Sequence, residues 1–324
     1  MILVLLDHDR GEIDPLSLRA LAAARKLSSD VQAVAIGADG NQLATIAGEH
    51  GATHLHLAIH PELRDYTPMA SGRALAQLIK LQNPVAILAA GTPRGNEQLA
   101  HLAAFMDLPM AAECSSVTLS SASGQPHQVV RARWGASLLE DAYVHAELLI
   151  ATILTFSVEP TAIVGSPPAV IEVFSVELED GDMTVRILER GGETISSRVT
   201  LSDAKVIVSG GRGVGGPEGF AILEELADLL SGTIGCSRVV TSSGWRPHAE
   251  QVGQTGSKVA PDLYIAAGIS GAMQHIAGCK NSKTIVVINT DPEAPIMQYA
   301  DYAIIGDLHK VIPALTAAIR EAKG

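Results

Sequence analysis

Aromatic side chains are scarce: two Trp, four Phe and five Tyr make up 3% of 324 residues. A large flat ligand must therefore be held by backbone and polar groups more than by stacking. There are only three cysteines, Cys114, Cys236 and Cys279, with neither CxxC nor metal-ligand spacing. They are expected as buried free thiols in a reducing compartment, and the chain is placed in the cytoplasm. Positive charge is also short, with 23 Lys and Arg against 35 Asp and Glu and a formal net charge of −12. No Lys/Arg cluster interleaves with aromatics, so nucleic acid is not an expected partner. Mean hydropathy is high at +0.24, yet no unbroken apolar run approaches the roughly 18 residues of a membrane span. Residues 1–6 lack a basic flank and run into Asp7-His8-Asp9, which reads as a buried strand and not as a signal peptide.

What is present is globular: 47% hydrophobic and 18% charged residues, over a length that suits two domains. From residue 1 to about 110, β-rich apolar runs (2–6, 31–37, 53–58, 85–90) alternate with helical periodicity (15–27, 41–50, 69–81). Asp14 before Pro15 is an N-cap followed by a first-turn proline. Such alternation predicts a parallel sheet with crossover helices. Ligands usually bind at the carboxyl ends of such strands, where Asp7-His8-Asp9-Arg10 and Gly91-Thr92-Pro93-Arg94-Gly95-Asn96 stand out. The second run, entering a helix over 97–105, reads either as an anion site at a helix N-terminus or as a tight turn with a solvated arginine. His54, His56 and His60 have the composition of a metal cluster. However, His54 and His56 share one strand face and His60 lies beyond it, so a surface-exposed face is expected. After residue 115, strand-like segments (116–120, 129–134, 148–156, 169–176) are expected to extend the sheet or add antiparallel strands. Gly191-Gly192-Glu193-Thr194-Ile195-Ser196-Ser197 is the linker candidate, giving domains 1–195 and 196–324.

In the second half a strand over 204–209 precedes Gly210-Gly211-Arg212-Gly213-Val214-Gly215-Gly216 and a helix over 217–230. Gly211, Gly213 and Gly216 satisfy G-x-G-x-x-G in strand–turn–helix context, where glycines let a backbone approach a diphosphate. The acidic residue of an NAD site is missing, since Ser237 and Arg238 stand at the end of the next strand. Gln251-Val252-Gly253-Gln254-Thr255-Gly256 is a polar, glycine-punctuated loop. Gly268-Ile269-Ser270-Gly271-Ala272-Met273-Gln274-His275 follows a strand over 263–267 and opens a helix, its small residues exposing backbone donors. Strands over 285–289 and 302–305 end on Asn289 and on Gly306-Asp307-Leu308. Polar residues thus sit at successive strand ends.

Gly235-Cys236-Ser237-Arg238, the 251–256 loop, Pro261-Asp262-Leu263-Tyr264, the 268–275 run and Asn289-Thr290-Asp291-Pro292-Glu293-Ala294-Pro295-Ile296 together resemble the α subunit of electron-transfer flavoproteins. The resemblance is dense over 204–324 and mostly architectural before it; it departs at Ser257, where many relatives carry a basic residue, with Lys258 adjacent. It implies an α/β protein of two domains, each a mainly parallel sheet with flanking helices: a Rossmann-like N-terminal scaffold and a doubly wound C-terminal domain holding FAD. It also implies an obligate heterodimer with a β subunit that carries AMP. Electrons would arrive from flavin dehydrogenases, such as the acyl-CoA dehydrogenases of fatty acid β-oxidation, and leave to a membrane quinone oxidoreductase. By the same analogy Arg212, Ser237 and Arg238 line the flavin, and Gln251, Val252, Gly253, Gln254 and Thr255 wrap it. Gly268, Ser270, Gly271, Ala272, Met273, Gln274 and His275 cover the ring edge and ribityl chain, and Asn289, Asp307 and Leu308 hold the adenosine end.

Several of these residues keep two readings. Arg238 is either a cation favouring anionic reduced flavin or one partner of a salt bridge. Thr255 offers a hydroxyl to the flavin N5 edge or caps a turn. His275, early in a helix whose dipole opposes protonation, donates to the pyrimidine edge or is a satisfied core histidine. No catalytic nucleophile, carboxylate pair or metal site is expected. Two rival functions remain: a flavin-bifurcating branch with a second FAD in the β subunit, and a non-redox module sensing an adenine nucleotide.

Overall fold

The computed structural model describes residues 1–120, 122, 124–188 and 200–323. Its chain divides into two compact units, Met1–Gly192 and Glu193–Gly324. The linker expected at 191–197 and the boundary at 195 lie outside the described residues.

The first unit is built on strands β1 (Ile2–Leu5), β2 (His8–Asp9), β3 (Glu12–Ile13), β4 (Val31–Ile36), β5 (His54–Ile59), β6 (Ala86–Ala90), β7 (Met110–Thr118), β8 (His127–Arg133), β9 (Leu138–Val144), β10 (Leu149–Ile153) and β11 (Val170–Ser175). Its helices are α1 (Pro15–Leu27), α2 (Ala44–Glu49), α3 (Pro68–Gln82) and α4 (Pro93–Met106). Nine strands form one sheet in the order β11-β5-β4-β1-β6-β10-β7-β8-β9, with β2 and β3 a separate small hairpin. From β11 to β7 the pairing is parallel, and β7-β8-β9 is an antiparallel meander. The central strands β1, β6 and β10 are buried throughout, as parallel strands covered on both faces must be. Alternate residues face opposite layers. Ile2, Val4 and Leu88 meet Ala20, Leu21 and Ala24 of α1, while Leu3, Leu5 and Ile87 meet Leu75 of α3 and Leu99 and Leu102 of α4.

Local signals set the helix starts. The Asp14 carboxylate accepts from Leu16 N–H ahead of Pro15, and Thr92 Oγ1 accepts from Gly95 N–H ahead of Pro93. The second helix therefore begins four residues before its expected start. The helix expected over 41–50 is a 3-10 turn, Ala38–Leu43, running into the short α2. Strand β9 carries Leu138, Leu139 and Tyr143 as exposed side chains. Only Val144 at its end, with Ala142 packed beside it, joins the core, and the sequence reading missed the strand.

The expected exposed histidine face is corrected. His56 is 2% exposed, because β11 pairs with β5 and sets Glu172 opposite it. Its Nε2 meets Gln32 Oε1 at 2.7 Å and its Nδ1 meets Glu172 Oε2 at 3.2 Å, while burial lowers its pKa. Among the described residues no group of His, Cys, Asp or Glu could hold a metal ion, and no helix is long and apolar enough to cross a membrane.

The second unit is a five-stranded parallel sheet of β12 (Val206–Gly210), β13 (Thr233–Cys236), β14 (Leu263–Ala267), β15 (Ile285–Asn289) and β16 (Tyr302–Ile305), in the order β13-β12-β14-β15-β16. Its helices are α5 (Ala221–Leu229), α6 (Arg238–Ser242), α7 (Met273–Cys279) and α8 (Leu308–Lys323). One face packs Ile207, Tyr264 and Val287 with Ile276 of α7; the other packs Val208, Ile265 and Ile288 with Leu223 and Leu226 of α5 and Ile312 of α8. All three cysteines are free and buried, and burial pushes each thiol up to about 12.

In the first unit the Arg73 guanidinium grips the buried Asp182 carboxylate, with Nε–Oδ2 at 3.0 Å and Nη2–Oδ1 at 3.2 Å, and stacks on Phe105 at 4.2 Å. Removing one partner of a buried pair strands the other charge. Arg73→Ala should lower stability by about 3 kcal/mol, read as faster hydrogen exchange in α3. Arg73→Lys should recover part of that loss, since the charge returns without the fork. A loss below about 0.5 kcal/mol, the range of an ordinary surface change, would mean that Asp182 does not depend on this charge.

Candidate functional site

In an open α/β sheet, a crevice forms where successive crossovers leave in opposite directions. In the second sheet that point lies between β12 and β14, because β13 was placed on one side and β14 on the other. A cleft of about 390 Å³ opens there. Arg212 comes from the turn after β12, Ser237 and Arg238 from the end of β13, and residues 251–255 from the polar loop. Gly268, Ser270, Gly271 and Ala272 follow β14, and Gln274 and His275 stand on α7. A second cleft of about 210 Å³ shares Gly268 and Ser270 with the first and continues to Asn289, Asp307 and Leu308.

The structure thus brings together every predicted residue except Met273, which is 52% exposed and lines neither cleft. The sequence reading missed Val239 and Ile269 as cleft lining, and Thr290, Asp291 and Ala294 in the second cleft. The first two are apolar walls without a chemical signature. The others sat inside a run already singled out for its resemblance.

The glycine motif also has a packing role that the sequence reading did not include. A Cβ on Gly211 would lie 2.2 Å from the Gly268 carbonyl oxygen, and one on Gly213 would lie 2.7 Å from Gly268 Cα. Gly268 itself has φ +63°, a left-handed conformation. Gly211 N–H donates to the Ala267 carbonyl and Gly213 N–H to the Gly268 carbonyl. The motif lets two turns nest backbone to backbone, and the helix expected over 217–230 opens with a 3-10 turn, Pro217–Phe220, before α5.

The polar loop is held from behind. Arg246 binds Glu224 at 2.7 Å and Glu250 at 2.6 Å, with Phe220 beneath it, tying residues 246–250 to α5. Thr241 Oγ1 donates to Gln251 Oε1, and Gln251 Nε2 donates to Thr255 Oγ1 at 3.0 Å. Because Thr255 accepts that bond, its own hydroxyl proton stays available to a ligand. Asn289 is largely engaged: its Nδ2 donates to the Ile269 carbonyl and its Oδ1 accepts from Asp291 N–H. Asp307 accepts from His309 N–H through one carboxylate oxygen at the start of α8.

Three polar groups on the first cleft are unanswered. Ser237 Oγ and His275 Nδ1 are buried without a hydrogen-bond partner, and Arg238 is exposed and makes no ion pair among the described residues. His275 Nε2 meets the Tyr264 hydroxyl at 2.9 Å. Burial lowers its pKa to about 4, with the Val252 carbonyl pulling the other way.

The corresponding switch point of the first sheet lies between β1 and β6. A cleft of about 240 Å³ there is lined by all of Asp7–Arg10 and, from the second loop that the sequence singled out, by Arg94. Its polar groups answer one another. Arg94 meets Asp7 at 3.6 Å and stacks on Tyr66, whose hydroxyl donates to Glu97. Both ring nitrogens of His8 are engaged, by the Ile36 carbonyl and by Gly11 N–H. Burial outweighs Arg94 at Asp7 and raises that carboxyl to about 6.

Comparison with known proteins separates the two units in the same way. The family model described as "Electron transfer flavoprotein domain" matches residues 2–179, and "Electron transfer flavoprotein FAD-binding domain" matches residues 200–280. The chain is 34% identical to "Electron transfer flavoprotein subunit alpha" of Thermoanaerobacterium thermosaccharolyticum, over 99% of this chain and 98% of that protein. The protein of the same name from Mycobacterium leprae is 36% identical, over 99% of each. "Probable electron transfer flavoprotein subunit alpha, mitochondrial" of Caenorhabditis elegans is 34% identical, over 98% of this chain and 93% of that protein. The chain belongs to the electron transfer flavoprotein α-subunit family. Its cofactor is FAD and its role is electron transfer.

The second unit fits such a group. Two clefts meeting at Gly268 and Ser270 suit a ligand with two heads. The walls carry no Trp, Tyr or Phe, so backbone and polar groups must hold it. The orphaned Ser237 Oγ and His275 Nδ1 are hydrogen-bonding capacity left for it.

A pH dependence follows from His275. Its folded pKa of about 4 lies below the ordinary 6.5. Its contribution to stability is complete above about pH 6.5 and is lost as pH falls toward 4, because the unfolded chain takes up a proton that the folded chain refuses. The limit is about 3 kcal/mol. Denaturant titrations at pH 7.5 and pH 5 should show this loss, and His275→Gln should make it smaller. An equal loss in both proteins would place the titration elsewhere.

Proposed function

We propose that the chain is the FAD-holding α subunit of a heterodimeric electron carrier in the cytoplasm. It takes electrons from flavin dehydrogenases, acyl-CoA dehydrogenases among them, and delivers them to a membrane quinone oxidoreductase. In this reading residues 1–195 are a scaffold packing against a β subunit that carries AMP, and residues 196–324 hold the FAD. The observation that carries it is the switch-point cleft whose Ser237 Oγ, His275 Nδ1 and Arg238 guanidinium have no hydrogen-bond or ion-pair partner among the described residues. Among the described residues Ser237 Oγ has no hydrogen-bond partner, so it is not paired with a base that would activate it as a nucleophile.

When bound, FAD supplies the electron chemistry. The residues of the chain set its environment. Arg238, with Arg212 nearby on the cleft wall, favours negative charge accumulating there. Thr255 donates its free hydroxyl proton, and His275, neutral, offers a hydrogen bond without charge. Asn289 and Asp307 shape the far end of the trough. Supporting a protein partner, β8, β9 and the turn between them display Trp134, Leu139 and Tyr143 at 84%, 70% and 65% exposure. Aromatic and aliphatic groups this exposed are characteristic of a covered surface.

Co-expression with a β subunit should give a yellow heterodimer releasing one FAD and one AMP. A second FAD would identify a bifurcating carrier, and FMN or a colourless complex would sink the assignment. Trp134→Ser combined with Leu139→Lys should weaken the heterodimer more than tenfold in analytical ultracentrifugation. Spectroelectrochemical titration should rank the two cleft residues. Arg238→Ala should lower the first-electron potential by about 60 mV, the equivalent of a tenfold change in a one-electron equilibrium. His275→Gln should move it less; the reverse order would mean that the histidine, not the arginine, carries the charge beside the cofactor.

A further inference from the structure

Tyr264 fills the middle of β14 against Ile207, Ala266 and Ile276, with none of its surface exposed. Phenylalanine would fill the same space, and burying a hydroxyl is costly unless it is hydrogen-bonded. The hydroxyl meets His275 Nε2 at 2.9 Å, with the two rings 6.2 Å apart and tilted by 52°. Burial keeps both groups uncharged, holding the phenol well above its ordinary pKa and the imidazole well below.

With one proton on the phenol and one on the ring, two arrangements are open. Either the phenol donates to Nε2 and the ring proton sits on Nδ1, or Nε2–H donates to the phenol oxygen and Nδ1 keeps a lone pair. In the second arrangement the phenol proton must go elsewhere. The phenol's hydrogen-bond partner is His275 Nε2, and the buried Ser209 Oγ on β12 has no hydrogen-bond partner, so the second arrangement would leave a buried phenol proton unanswered. Burial therefore discriminates between them: with the phenol donating to Nε2, its hydroxyl is satisfied and the ring proton sits on Nδ1.

We propose that Tyr264 is a positioning residue for the FAD cleft: by donating to Nε2 it fixes the His275 proton on Nδ1 and anchors the ring on the cleft wall. The inference rests on the cleft being the FAD site. Tyr264 touches no reacting atom; it acts through His275 and is not itself among the residues that line the cleft.

The tautomer is measured on the heterodimer after removal of FAD, with only this chain's histidine rings labelled with 15N. Long-range 1H–15N correlations report which nitrogen is protonated, and His275→Gln assigns the signals. The wild type should show Nδ1–H, Tyr264→Phe should shift toward Nε2–H, and Ser209→Ala should change nothing. FAD affinity is the second readout. Tyr264→Phe should weaken it about fivefold, the worth of one hydrogen bond. The same substitution made in a His275→Gln background should cost less than twofold, since the bond is already absent. An Nε2–H tautomer in the wild type, a tautomer that switches in Ser209→Ala, or the same fivefold loss in both backgrounds would overturn the proposal. FAD affinity indifferent to His275→Gln would overturn the site assignment instead, a result the tautomer measurement keeps distinct.

Discussion

The second unit depends on how closely two backbone turns can approach. β12 and β14 are neighbours whose crossovers depart in opposite directions, so their carboxyl ends part and leave a trough. The trough is usable only if the turns after the two strands nest below it. Gly211 and Gly213 against the left-handed Gly268 make that possible, because any side chain on the first two would occupy Gly268 backbone. The rest of the site follows from that floor. Ser270, Gly271 and Ala272 run along one wall and α7 delivers His275. The 251–256 loop closes the other side, braced by Gln251 between Thr241 and Thr255.

The two sheets solve the same topological problem with opposite electrostatics. At the first switch point Asp7 and Arg94 neutralise each other, Tyr66 covers the guanidinium, and His8 spends one nitrogen on its own loop and the other on the Ile36 carbonyl at the end of β4. At the second, among the described residues, the arginines face a cleft without an acidic partner, and two buried polar atoms have no hydrogen-bond partner. On a chain of net charge −12, such a local excess of positive charge is a specific feature. Unanswered buried groups are a liability in a finished core, and they suit a site completed by a ligand.

Much of this was legible in one dimension. The strand–helix alternation, the cap at Asp14 and the glycine turn after β12 are local features, fixed by residues within a few positions of one another. Strands β14, β15 and β16 were read at their observed bounds, since each is a short apolar run ended by polar or turn residues. The cleft residues were legible for a related reason. They cluster at strand ends in ordered motifs, so that the order of the chain nearly reproduces the order around the trough.

The sequence by itself determined most of the strands of the two sheets, the capped start of α1 at Asp14, and which polar residues would gather at the carboxyl ends of the second sheet, because each depends on short-range periodicity and turn chemistry. Only the tertiary structure decided what pairs across the chain. Glu172 reaches His56 from a strand more than a hundred residues away, Arg94 meets Asp7 across the first switch point, and Tyr264 meets His275 behind the cleft. It also decided that the glycines serve turn-to-turn packing. The reason is the same in each case: burial and partner choice are set by which strands become neighbours, and no window of local sequence carries that information.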